Sequence, residues 1–133
     1  MKNTLDQYRQ TGALAEVSVA SPWRVIQMLL ENALDRVAMA RGAMKQGNIS
    51  KKGEHISKAM TIIEGLRAVL DHEKGGELAG RLDDLYEYIS RQLLQANVND
   101  DPILLDEVSD LIREIKSGWD AIPEEQRAHP ASQ

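Results

Sequence analysis

The chain contains no cysteine and no phenylalanine, and only 4% of it is aromatic. Without thiols, disulfide staples, zinc-thiolate sites and cysteine nucleophiles are excluded, and the redox state of the compartment leaves no marker. Basic charge is also scarce. Sixteen Lys and Arg stand against 21 Asp and Glu, a formal net charge of -5, which argues against a grip on phosphate backbones or anionic lipid. No apolar run approaches the ~18 residues of a membrane span, and the opening Met1 to Gln10 lacks the apolar core of a signal peptide. The expectation is a cytoplasmic protein with no nucleic-acid partner and no membrane insertion.

What is present is aliphatic. The 133 residues are 42% hydrophobic, and a chain of this size buries roughly two-thirds of the surface its unfolded form exposes. With Leu, Ile, Val, Ala and Met supplying nearly all of that core, helix packing is favoured over a sandwich of strands.

The periodicity predicts an all-α fold, an antiparallel four-helix bundle over residues 21–122. An N-terminal arm over 1–20, partly helical, and a flexible polar tail over 123–133 flank it. Ser21-Pro22 is an N-cap followed by the one helical position where a missing N–H costs nothing, and Gly47 is a natural stop. Between them Ile26, Leu30, Ala33, Val37, Ala40 and Met44 alternate spacings of four and three. The second helix is expected from about Ser50 to His72 on Ile56, Ala59, Ile63, Leu66 and Leu70. The third follows Gly75-Gly76 on Leu78, Leu82, Leu85, Ile89, Leu93 and Ala96. The fourth opens at Asp101-Pro102 and runs on Leu104, Val108, Leu111, Ile115 and Ile122, flanked by Trp119. Short connections make consecutive helices antiparallel neighbours.

Catalytic constellations are missing. None of His55, His72 and His129 sits three residues after a Glu, so the Glu-x-x-His pairs of carboxylate-bridged metal bundles are absent. Nor is there a His-Glu-x-x-His, a phosphate-cradling Gly-rich loop or a Gly-x-Ser-x-Gly elbow. His72-Glu73-Lys74-Gly75 is one residue short of a histidine phosphotransfer motif and reads as a loop ahead of Gly76. The acidic pairs Asp83-Asp84 and Glu124-Glu125 read as solvated faces. The sequence therefore predicts a non-enzyme without metal or cofactor.

Surplus apolar surface is what remains. At about 100° per residue, Met28 and Met39 lie together and opposite the core stripe of the first helix. They mean either a helix buried on two sides or an adaptable peptide groove lined with polarizable Met. Ile62 and Val69 widen the second helix's apolar arc in the same way, and Gly65 there marks either a close approach or nothing. On the third helix Tyr86 and Tyr88 point to opposite flanks, and Tyr86 shares its flank with Leu93 and Asn97, a patch with an apolar floor and a polar handle. Lys51 and Lys52 stand where a helix dipole disfavours cations, so either the second helix begins later or these lysines meet an acidic partner.

The stretch from Leu78 to Trp119 carries Leu82, Leu85-Tyr86, Tyr88, Leu93, Ala96-Asn97, Asp101, Leu105, Glu107-Val108 and Leu111. In order and spacing it resembles the back half of the flagellin secretion chaperones, the FliS family. Tyr8, Ala20-Ser21-Pro22, Arg24, Ile26, Leu29 and Ala33-Leu34 extend the resemblance upstream. Two places depart from it: Leu30-Glu31-Asn32 stands where members often have Tyr-x-Gly, and Trp23 stands where a smaller or polar residue is common. The resemblance implies a small cytoplasmic chaperone that uses no nucleotide. Such a chaperone binds the C-terminal segment of newly made flagellin, disordered in the free subunit, and delivers it to the flagellar type III export apparatus. It further implies that the N-terminal arm, through Tyr8, lies near the binding groove. With the surplus apolar positions, the expected flagellin contacts are Tyr8, Met28, Met39, Ile62, Val69, Tyr86, Leu93 and Asn97. Read from the residues alone, a self-associating helical bundle or a phosphotransfer module on His72 stays open.

Overall fold

A computed structural model describes residues 21–127, helices joined by short connections with no strand among them. Tyr8 and the rest of the expected N-terminal arm lie outside the described residues, as does the end of the expected tail. The long helices are α1 (Pro22–Lys45), α2 (Ile49–Ala68), α3 (His72–Asn99) and α4 (Pro102–Asp120), followed by one turn, α5 (Glu124–Arg127).

Each long helix begins on a side chain that accepts a backbone N–H otherwise left without an intrahelical partner. Ser21 Oγ takes Arg24 N at 3.2 Å, Asn48 Oδ1 takes Lys51 N at 3.0 Å, Asp71 Oδ1 takes Lys74 N at 2.9 Å, and Asp101 Oδ1 takes Ile103 N at 2.9 Å. Two helices also end by rule. Gly47 (φ 72°) and Asp100 (φ 53°) adopt the left-handed conformation, so that Asn48 N reaches Ala43 O at 2.9 Å and Asp101 N reaches Ala96 O at 3.0 Å.

Around the bundle the neighbours are α1–α2, α2–α3, α3–α4 and α4–α1. Every neighbouring pair is antiparallel: Trp23 meets Trp119 at one end, Arg41 meets Asp106 at the other, Arg67 meets Asp83, and Lys52 meets Asn97. Of the stripes expected for α1 and α2, Leu30, Ala33, Val37, Ala40, Ile56, Ala59, Ile63 and Leu66 are in the core, while Ile26, Met44 and Leu70 are partly buried against it.

The inward residues of α4 are Leu105, Val108 and Ile112, where the expected stripe had Leu104, Val108 and Leu111, because packing chose the other member of each apolar doublet. Three further corrections concern helix ends. α2 stops at Ala68 rather than near His72, because Asp71 caps the next helix and the chain must turn ahead of it. His72 therefore sits in the first turn of α3, not in a loop; Gly76 (φ 52°, ψ -128°) interrupts that helix one turn later. Third, α2 begins at Ile49, so Lys51 and Lys52 do lie in its first turns. Lys52 is buried and donates to Asn97 O at 3.1 Å and to Asp100 Oδ1 at 2.9 Å. Its charge goes to the carbonyl end of α3, where a cation is favoured, and that outweighs its own unfavourable helix start. Gly65 is exposed and an added Cβ would meet nothing within 4 Å, so no close approach explains it.

Candidate functional site

The helix ends that meet beside Trp23 do not fill the space between them. A cavity of ≈ 710 Å³ opens there, lined by Ile26 and Leu30 from α1, Leu66, Val69 and Leu70 from α2 and its exit, Leu78, Leu82 and Tyr86 from α3, and Ile115 and Trp119 from α4. Small residues leave the room. Gly75, Ala79 and Gly118 also line it, and a Cβ added at Gly118 would still meet nothing within 4 Å. Gly75 is different: its Cβ would stand 2.8 Å from that of Ala79, so the Gly76 kink folds the first turn of α3 tightly back on itself.

The cavity's charged groups are Asp71 and Glu114, both acidic, with Gln126 as a further polar group. Asp71 is already occupied as an N-cap. Tyr86 is buried, and desolvation pushes its phenol up to about 12, so the ring enters the wall as a neutral group. Apolar side chains nevertheless project around it: Val69 and Leu78 are 58% and 66% exposed, far more than a core position allows. Such a cavity lies within the range of about 300–1,000 Å³ typical of binding sites. It offers apolar burial, few polar anchors and no reactive group.

Of the eight expected contact residues, the structure brings Val69 and Tyr86 together in this cavity. Ile62 is half-buried against the core and Leu93 is wholly inside it. Met28 is half-buried and Met39 exposed on α1, neither of them in the cavity lining. Asn97 is at the opposite end, its carbonyl held by Lys52. The flank that Tyr86 shares with Leu93 is thus the inward face of α3, whose core positions are Ala79, Tyr86, Ile89, Leu93 and Ala96. Sequence reasoning missed Leu78, Ile115, Trp119 and Ile122 as lining. The available signal was that they crowd apolar side chains into helix ends that an antiparallel bundle stacks together.

Trp119 belongs to a clasp that joins the start of α1 to the end of α4. Trp23 Nε1 donates to Trp119 O at 3.0 Å, and Trp119 Nε1 donates to Trp23 O at 2.9 Å. Among the described residues no group of His, Asp and Glu is placed to hold a metal, and no helix is long and apolar enough to cross a membrane.

Known proteins share this chain's sequence over most of its length. It is 54% identical to the flagellar secretion chaperone FliSB of Pseudomonas aeruginosa over 118 residues, covering 89% of this chain and 94% of that protein. Identity to the flagellar secretion chaperone FliS of Vibrio cholerae is 45% over 125 residues, 94% of this chain and 92% of the relative. To that of Salmonella typhimurium it is 43% over 116 residues, 86% of each. The family described as flagellar protein FliS matches residues 1–126. With its helical bundle and its sequence both in agreement, the chain belongs to the FliS family.

Proposed function

We propose that this protein is a cytoplasmic flagellar secretion chaperone. It binds the C-terminal segment of flagellin, keeps that segment from polymerising prematurely, and delivers the subunit to the flagellar type III export apparatus. The observation that carries the reading is the apolar cavity at the Trp23 end, with Val69 and Leu78 exposed around it. Its relatives' description as flagellar secretion chaperones supports it.

The physical chemistry of the role is burial. An amphipathic segment, disordered alone, places its apolar residues into the cavity and gains helix as it docks, offsetting an ordering cost of about 2–5 kcal/mol. Covering that face removes the surface through which one flagellin would pack against the next. Met28, Met39, Ile62 and Tyr8 extend the proposed contact beyond the cavity. No nucleotide enters the cycle, since release follows from handing the client to a competing partner.

Calorimetry with whole flagellin and with flagellin lacking its C-terminal segment tests this. Binding should be lost with the segment, and the segment alone should gain helicity by circular dichroism when mixed with the chaperone. Equal binding by both flagellins would refute the reading. It would favour self-association instead, for which the exposed Ile49, Val98 and Ile103 at the opposite end are the supporting observation.

A further inference from the structure

The cavity has one wall unlike the others. Most of its lining comes from helices of 24, 20, 28 and 19 residues whose inward stripes make the core. Ile122 and Gln126 come from the segment after α4, which forms the single turn Glu124–Arg127 and buries no side chain. A four-residue helix has no stability of its own, because nucleation costs more than one turn of hydrogen bonds returns. The described side-chain contacts that hold this turn against the bundle are made by Arg127. Its guanidinium carbon lies 3.8 Å from the centroid of the Trp23 ring, while Nε donates to Ile122 O at 2.8 Å and Nη2 to Asp120 O at 3.1 Å. One planar cation thus stacks on an indole of α1 and takes the last carbonyl of α4 together with one inside the segment itself.

A helix about 10–12 Å across that seats more than the tips of its side chains in this cavity needs one wall to give. The four long helices cannot give without opening the core. We infer that the segment Ile122–Arg127 is a displaceable strap, latched by Arg127 on Trp23, and that a docking client helix opens it. The inference rests on the cavity as the client site and adds its regulation: the latch competes with the client, so closure lowers affinity and opening accompanies capture.

The chain reports on its own latch, since its two Trp residues, Trp23 and Trp119, both belong to the clasp. The experiment follows Trp emission of the full-length protein during titration with a Trp-free peptide of flagellin's C-terminal segment. In the wild type the emission should shift on binding. In Arg127→Ala it should be shifted in the same direction before any peptide is added, and the peptide should bind roughly two- to thirtyfold tighter, the range for release of one cation–π contact on a buried indole. Unchanged or weaker binding by Arg127→Ala would overturn the strap, as would a wild-type emission that ignores the peptide. Hydrogen exchange of the wild type gives a readout without a variant: amides of residues 124–127 should exchange faster with peptide bound, and added protection there overturns the inference. Leu78→Asp separates the two ideas. If it leaves peptide binding intact, the cavity reading fails; if it abolishes binding while Arg127→Ala changes nothing, the strap alone fails.

Discussion

Both ends of this bundle cap their helices, Ser21 and Asp71 at the Trp23 end and Asn48 and Asp101 at the other, and they differ in what lies between the caps. At the far end Lys52, side chain 8% exposed, holds Asn97 O and Asp100, while Asn48 and Asp101 cap α2 and α4. Beyond them Arg41 grips Asp106 through Nε at 2.6 Å and Nη2 at 3.0 Å. Backbone ends there are matched with side chains of suitable charge. At the Trp23 end the chain spends large apolar residues on a space it does not fill, and cuts α3 at Gly76 to shape that space. A fold does not need an unfilled apolar cavity, which is why the client site is proposed at the Trp23 end.

The largest break between them should come from core truncation. Leu93, fully buried between the two ends, should cost about 2–5 kcal/mol as Leu93→Ala, transfer plus cavity. Leu78→Ala, at a position 66% exposed, should leave the chemical denaturation midpoint almost unmoved while weakening client capture. A stability loss at Leu78 comparable to that at Leu93 would mean the cavity rim is core.

Next in size is the polar closure of the far end. Lys52→Met removes the donor to Asn97 O and Asp100 and should destabilise by about 1–3 kcal/mol. The more exposed pair Arg41–Asp106 should cost much less when Arg41→Ala breaks it, because solvent screens it. Thermal melts of both variants, with peptide binding measured beside them, sharpen the contrast, because neither should disturb a client bound at the other end.

Acidity probes ion pairs at both ends, and alkalinity the cavity wall. Asp83, Asp106 and Asp120 are held below the ordinary carboxylate range first by hydrogen bonds from Arg67, Arg41 and Lys116. Their contribution is complete above the unfolded carboxylate pKa of about 3.9 and is lost as pH falls through the lower folded values. Tyr86 behaves oppositely: burial raises its phenol to about 12, so the unfolded chain ionises first and stability falls from about pH 10 upward through that value. Ultraviolet titration of phenolate should show a late-ionising tyrosine that is lost in Tyr86→Phe, beside Tyr88, whose phenol is also raised by its hydrogen bond to Glu107. If that variant titrates like the wild type, Tyr86 is not in a desolvated wall.

The smallest expected effect is that of salt. With Asp71 and Glu114 as the cavity's charged groups, raising salt to about 0.5 M, where the Debye length is roughly 4 Å, should change client affinity less than tenfold. A steep loss would move the contact to the lysines of α2.

Legibility in the sequence followed the same geography. Caps at Ser21 and Asp101, the stop at Gly47 and the stripes of α1 and α2 were readable because each depends on a few adjacent residues. The inward phase of α4 was not. Leu104-Leu105 and Leu111-Ile112 are apolar doublets that fit two rotations equally, and packing chose Leu105 and Ile112. In α3 the stripe was readable at Ile89, Leu93 and Ala96, but packing buried Ala79 and Tyr86 ahead of Leu78, Leu82 and Leu85, so Tyr86 and Leu93 are core and not a surface patch. The cavity was visible only as Val69 and Tyr86, since it is assembled from four helix ends that no local period relates.

The central claim is that client binding belongs to the Trp23 end. One calorimetric comparison tests it most directly: titrate the flagellin C-terminal peptide into the wild type, into Leu78→Asp at the cavity and into Val98→Asp, 70% exposed at the far end. An unpaired carboxylate forced into apolar contact should cost Leu78→Asp at least about tenfold in affinity, while Val98→Asp binds as the wild type does. Retained binding in Leu78→Asp with loss in Val98→Asp would contradict the account.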